Sequence, residues 1–340
     1  MTFTTEVISV RLKQPFTTAR DRTVESQSAI IRIEHDGVVG IGEAKMTADS
    51  CGGVAEPVAS YGDRARAILG NDPFQLERIL DELARVLPDC CCTRAGIDIA
   101  LHDLCGKLAG LPLYRWFGLS PEKTPATGYT IGMGTAQEMV REARNASDFP
   151  ILKIKVGGPG DVDAVKAIRA ETDAVLRVDA NGGWSVDEAI DRINRIEPYG
   201  VQFVEQPIAP GNPDGLRRIR QRTHLPIVAD EDARTATDLP ALAGCVDGIN
   251  IKLMKCGGLR EALRMIHVAR ALGMQVMLGC MVETSLSLTA AAHLLPLADY
   301  SDLDSAALLE RDPFAGFTVR NGKNVLPDGP GLGVTERLDR

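Results

Sequence analysis

Three acids close three short apolar runs in the second half of the chain: Asp179 in VLRVDA, Glu205 in VQFVEQP and Asp230 in PIVADE. Carboxylates that converge without His or Cys offer hard oxygen ligands. Such a set suits one Mg²⁺ whose octahedral shell is completed by water or a substrate oxygen, and it suits zinc poorly. The plainer reading is that each acid caps the helix after it. Recurrence at the same point of three successive units favours convergence.

Lysines accompany the acids. Lys153 and Lys155 in LKIKVG are two apart, so on a strand they share a face. Two ammonium groups that close repel, burial adds to the effect, and the pKa of one is expected to fall toward the range where a neutral amine acts as a base. Lys252 closes a later run, INIKLMKCGG, and the alternative for all three is that they only neutralise the carboxylates. Asp302 and Asp304 in SDLDS are again two apart, and two carboxylates on one face can hold an ammonium by charge-assisted hydrogen bonds. A turn or a helix cap is the alternative there.

These residues need elements that bring them together. From residue 125 the chain reads as eight short β runs (TGYTIGM, ILKIKV, VLRVDA, VQFVEQP, PIVADE, GINIKL, QVMLGC, YSDLDS) separated by helical segments. Lys155, Asp179, Glu205, Asp230, Lys252, Gly279 and Asp302 mark the ends of the last seven, at gaps of 22 to 27 residues, with Gly279 the small exception. A strand, a helix and two loops occupy about 24 residues, so the spacing predicts an α/β fold of the (β/α)8 TIM type rather than a doubly wound sheet. In such a barrel, groups at the carboxyl ends of strands face one mouth.

The first part of the chain has a different texture. Residues 3–12 and 28–35 read as strands, Asp36-Gly37 is a hairpin signal, and residues 55–119 turn to helical spacing. We expect an α+β capping domain over residues 1–122, a modified barrel over 123–310, and a segment over 311–340, with its GPGLG turn at 329–333, that returns to the cap.

Taken together, KIK at 153–155, DAN at 179–181, EQP at 205–207, ADE at 229–231 and NIKLMKCGG at 250–258 resemble the enolase superfamily, muconate-lactonizing-enzyme subgroup, over essentially the whole chain. The resemblance implies a Lys base and Mg²⁺ acting on an enediolate. A proton α to a carboxylate is weakly acidic because its removal adds a second negative charge, which a divalent cation on that carboxylate stabilises. Lysines on both faces of the α carbon then permit removal from one side and return from the other, which is racemisation or epimerisation. The His-Asp pair of the superfamily's dehydratases is missing: His267 falls in a helix-like stretch and QVMLGCM has no His.

The pair Asp302 and Asp304 resembles that of the dipeptide epimerases, where it grips the substrate α-ammonium. The expected enzyme is therefore an isomerase: a Mg²⁺-dependent dipeptide epimerase that inverts the C-terminal α carbon, with Lys155 and Lys252 as acid and base and Lys153 helping to hold the carboxylate. An N-acylamino acid racemase or a muconate-type cycloisomerase is the alternative among enzymes; a non-catalytic, metabolite-binding barrel is the alternative outside them. In the family, side-chain specificity comes partly from a cap loop that corresponds to TTARDRTVES, where Arg20 and Arg22 could clamp an acidic residue and Asp21 could instead select a cation. The next cap loop, AKMTADSCGG at 44–53, departs from the Pro/Tyr/Gly-rich form of the Ala-Glu epimerases.

Composition agrees with an ordinary globular enzyme. The 340 residues are 44% hydrophobic and 25% charged, and 38 basic against 46 acidic side chains leave a net charge of −8, which disfavours nucleic acid as a partner. No apolar run reaches membrane-spanning length and the N-terminus lacks a signal-like core, so a cytoplasmic protein is expected; a homo-oligomer is compatible with the sequence. The eight cysteines form no CxxC pair, which points to buried reduced thiols; the run Cys90–Cys92 is expected where cap meets barrel, with no function assigned. GGPG at 157–160 lacks the residues of a phosphate loop, and without GxSxG, and with five dispersed histidines, serine chemistry is unsupported.

Overall fold

The computed structural model describes residues 1–46, 62–320 and 322–337. Of the expected cap loop at 44–53, everything after Met46 lies outside the described residues, as does Cys51.

Three antiparallel strands open the chain: β1 (Thr2–Thr17), β2 (Arg22–His35) and β3 (Val38–Lys45), in the order β1-β2-β3. Asp36 and Gly37 both take positive φ, 50° and 77°, the geometry in which a two-residue turn matches the right-handed twist of its strands. The first two strands are longer than the apolar alternation suggests. Beyond a register irregularity between Arg11 and Phe16 they continue as a ribbon, pairing Phe16 with Thr23 and Thr17 with Arg22, so the expected loop is a tight tip in which Thr18 N donates to Asp21 O.

Helices α1 (Gly62–Leu69), α2 (Leu76–Val86) and α3 (Cys91–Ala109) complete the cap. α3 is buried nearly throughout because it lies between the cap sheet and the barrel. Its close approach to β3 requires glycine: a Cβ on Gly42 would stand 2.1 Å from the Gly96 carbonyl oxygen. From its barrel side, the Asp98 carboxylate accepts from the N–H groups of Leu259 and Arg260, satisfying the first turn of the barrel helix Leu259–Ala271. Cys91 and Cys92 belong to the barrel's hydrophobic core, and Cys92 Sγ donates to Met254 O at 3.3 Å, which places the cysteine run at the cap–barrel junction.

Strands β4 (Tyr129–Ile131), β5 (Ile151–Lys155), β6 (Val175–Asp179), β7 (Val201–Glu205), β8 (Ile227–Ala229), β9 (Gly248–Lys252), β10 (Gln275–Gly279) and β11 (Tyr300–Asp302) form one parallel sheet in sequence order. A parallel bridge between Thr127 and Ser301 and a hydrogen bond from Leu303 N to Thr127 Oγ1 bring the first strand against the last, nearly closing the barrel. All eight runs read from the sequence are strands. Below the mouth the lumen is packed: Arg177 lies over the adjoining rings of Phe203 and Tyr300, 5.2 and 5.0 Å from their centroids.

The cap is also tied to the barrel by a buried acid. Glu43 on β3 accepts from Ser28 Oγ, Thr284 Oγ1, Thr284 N and Ser287 N, the last two at the start of the barrel helix Ser285–Ala292. The chain's end returns to the cap, where Leu332 N donates to Asp103 and Leu113 N donates to Gly331 O.

Candidate active site

Parallel register places the acids side by side. Asp179 is level with Glu205, Glu205 is level with Val228, and Asp230 follows β8 directly. All three are fully buried. Just past the acids the backbone turns left-handed, with φ 44° at Asn181 and 37° at Gln206, a rare conformation for a glutamine. Gln206 Oε1 accepts from Asp230 N, so the residue after one acid fixes the next. None of the three caps a helix: the helices after β6 and β7 are capped by Ser185 and Asn212.

The lysines lie among these carboxylates. Lys153 Nζ is 2.6 Å from Asp302, 2.7 Å from Glu205 and 3.1 Å from Asp179. Lys155 donates to Asp179 at 2.6 Å, and Lys252 to Asp230 at 3.0 Å. Burial alone would pull the Lys153 ammonium down, but Asp302, Glu205 and Asp179 together hold it well above its ordinary value; Asp230 does the same for Lys252. Of the two lysines expected to repel each other, Lys153 is therefore not the one whose pKa falls, because carboxylates outnumber ammonium groups around it. The same pairing keeps Asp179 and Asp230 well below the usual carboxylate range against the opposing effect of burial. Glu205 goes the other way, pushed up to about 7 by burial and by the Asp179 and Asp230 charges.

Asp302 ends β11. Asp304 lies beyond the strand, at the residue just before the short helix Ser305–Leu308, so the two do not share a strand face as their spacing suggested. The Asp304 side chain caps nothing; it accepts from Thr130 N on β4 at 2.6 Å. Burial and the neighbouring Asp302 push it up to about 6.

A cavity of about 660 Å³ joins Lys153, Lys155, Lys252, Asp302 and Asp304 to the cap ribbon, with Arg20 also on its wall; Asp179, Glu205 and Asp230, fully buried, do not line it. Arg20 is paired with Glu231 at 3.0 Å. Arg22 is exposed on the ribbon and does not line the cavity, although Asp21, Thr23 and Glu25 do: the alternation of side chains along the strand turns it to the other face.

The sequence reading missed several partners. Asn250 Nδ2 donates to Glu205 Oε1 at 2.8 Å. It stands two before Lys252 in a strand otherwise apolar, which is a legible signal. It also accounts for the exception at Gly279: a Cβ there would stand 2.5 Å from Asn250 Oδ1. Lys255, three residues past β9, donates to Asp230 at 2.6 Å and has no periodic signal.

The donor chemistry fits a hard divalent cation. Glu205 Oε2 is buried without a properly directed hydrogen bond, although Lys153 lies close, and burial together with the Asp179 and Asp230 charges raises its pKa, a cost that a bound cation would relieve. As they stand, with ammonium groups between them, no three His, Cys, Asp or Glu among the described residues are close enough to share an ion.

Residues 2–118 match the mandelate racemase / muconate lactonizing enzyme N-terminal domain, and residues 135–340 match the enolase C-terminal domain-like family. The chain belongs to the mandelate racemase and muconate lactonizing enzyme branch of the enolase superfamily. Within it, the chain is similar to an L-Ala-D/L-Glu epimerase of Bacteroides thetaiotaomicron, with 41% identity over 96% of this chain and 85% of the relative. The substrate-liganded complex of the L-Ala-D/L-Glu epimerase from Bacillus subtilis superposes with a TM-score of 0.94 at 33% identity, covering 99% of this chain and 98% of that one. A dipeptide epimerase from Enterococcus faecalis, complexed with Mg and the dipeptide L-Leu-L-Tyr, gives 0.93 at 34% identity over 98% and 99% of the two chains. These superfamily relatives carry different second residues, so the wall of this chain's own cavity has to decide its side-chain preference.

Proposed function

We propose that this superfamily member is a Mg²⁺-dependent dipeptide epimerase that inverts the α carbon of the C-terminal residue by 1,1-proton transfer. The observation that carries the reading is a cross. In the eight-strand ring, Lys155 on β5 and Lys252 on β9 are four strands apart, and so are Glu205 on β7 and Asp302 on β11. Lys153 bridges Glu205 and Asp302, so a dipeptide in the cavity over Lys153, carboxylate toward Asp179, Glu205 and Asp230 and ammonium toward Asp302 and Asp304, has its reacting carbon between the two lysines.

Asp179, Glu205 and Asp230 would hold one Mg²⁺, which when bound lends Lewis acidity to the substrate carboxylate. Lys155 and Lys252 take the proton from one face and return one to the other; to do so each must leave its present partner, Asp179 or Asp230. Lys153, fully enclosed by acids, stays charged and holds the carboxylate end. The balancing role of the lysines and their acid–base role are thus two states of the same groups. Asp302 and Asp304 favour a free ammonium over an N-acyl group, which sets the epimerase reading above the racemase and cycloisomerase alternatives; a lysine on each face argues against a purely binding barrel.

The same proposal takes residues 1–122 as cap, 123–310 as barrel and 311–340 as the returning segment. It also makes the enzyme cytoplasmic. Among the described residues no helix is long and apolar enough to cross a membrane.

Incubation in D₂O of free dipeptides, their N-acetyl forms and N-acylamino acids, with mass detection of α-deuterium, tests the reading. Exchange is expected for free dipeptides, abolished by a chelator and restored by Mg²⁺, with the N-acetyl forms weakened by on the order of 2 to 5 kcal/mol because they bring no ammonium to the buried Asp302 and Asp304. Equal or faster turnover of N-acylamino acids would replace it with the racemase.

A further inference from the structure

One buried cation on the cavity wall has no part in this mechanism. Lys45, the last residue of β3, is 9% exposed and lines the cavity together with Ser26 and Val282. Its Nζ donates to Ser26 Oγ at 2.5 Å and to Val282 O at 3.0 Å, both neutral acceptors, one on β2 and one in the loop after β10. An ammonium has three hydrogens, and two are accounted for.

Among the described residues no carboxylate stands within ion-pairing distance of it. The acids nearest in effect are occupied: Glu43 by Ser28, Thr284 and Ser287, and Glu283 by Met281 N and Ser287 Oγ. Burial accordingly pulls the Lys45 ammonium down, with Glu283 and Glu43 only partly offsetting it. A buried cation solvated by neutral oxygens alone is costly, and an anion brought to it is bound where water does not compete.

The other charges on the wall differ. Arg20 is already paired with Glu231, and Asp21 and Glu25 are exposed and bonded to the hydroxyls of Thr18 and Ser9. Arg234 also faces the cavity but is exposed, so water solvates it. Only Lys45 among these combines burial with a missing counter-charge.

We infer that Lys45 determines specificity by binding a side-chain carboxylate of the substrate, so that the preferred dipeptides contain Glu or Asp. The inference rests on the epimerase reading. The carboxylate can belong to either residue of the dipeptide, since both side chains of a molecule laid across the mouth can turn toward the cap.

The test is the ratio of kcat/KM within two matched pairs, L-Ala-L-Glu against L-Ala-L-Gln and L-Glu-L-Ala against L-Gln-L-Ala. The protein is expected to favour the acid in one pair by about 10-fold or more, mainly through KM, and that pair identifies the residue bound. Lys45→Met should bring the ratio close to one, and Lys45→Glu should shift preference toward Lys at the same position. If Lys45→Met does not fold, Lys45→Gln and the charge-retaining Lys45→Arg supply the comparison. Turnover of dipeptides with no acid preference, or a preference that survives loss of the charge, overturns the role of Lys45 and leaves the epimerase reading standing. Absence of α-deuterium exchange in every dipeptide overturns both.

Discussion

The barrel mouth and the cap ribbon face the same cavity under opposite physical regimes. At the mouth Asp179, Glu205 and Asp230 are fully buried and every lysine is within 3.0 Å of at least one carboxylate. On the ribbon Arg20 keeps 44% of its side chain exposed and Arg22 faces solvent. Charges held by strand ends in a low-dielectric ring are strongly coupled, whereas those on a solvated tip are screened and free to reorient. Reaction chemistry needs the first regime. A wall that accepts varied side chains can be built in the second, and Lys45, on the cap yet buried, stands between them.

The sharpest way to break this contrast is at the mouth. Lys155→Ala and Lys252→Ala should each lower epimerisation by about 10³-fold or more, while each variant still exchanges the α-proton of one epimer of the dipeptide. NMR-detected exchange of both epimers in D₂O checks it, and wild-type epimerisation by either variant would remove that lysine from the proposed pair.

Acid inactivation could be misread as titration at the mouth unless the scaffold is followed separately. His293 is buried behind the barrel, accepting from Tyr114 N at Nδ1, with Nε2 3.1 Å from Leu332 O; it joins cap, barrel and returning tail as a neutral ring. Burial pulls it from 6.5 to about 4. The unfolded chain therefore takes up a proton between those values while the folded one does not, so stability present above pH 6.5 is lost as the pH falls toward 4, by up to about 3 kcal/mol. Urea midpoints at pH 7 and 4.5 should show this loss, and His293→Gln should show less of it. An unchanged pH dependence in the variant would exclude His293 as the cause.

The smallest effect belongs to the ribbon. Arg20→Ala removes an exposed ion pair to Glu231 and should change stability by less than about 1 kcal/mol. A thermal melt decides it; a larger loss would mean that the ribbon is a structural part of the mouth.

How much of this was legible beforehand follows from the range of the forces involved. The period of a strand is two and the βα unit repeats at nearly constant length, so the eight strands, the position of each acid at a strand end and the shared face of Lys153 and Lys155 could all be read locally. Asp304 misled that rule because β11 stops at Asp302. What tertiary structure alone decided was everything across the barrel or between cap and barrel. The fit of Asn250 against Gly279 depends on neighbouring strands, and the burial of Lys45 on a loop more than 200 residues away along the chain. Burial and charge coupling are sums over whatever surrounds a group, and in a closed barrel under a cap those surroundings come from distant parts of the sequence.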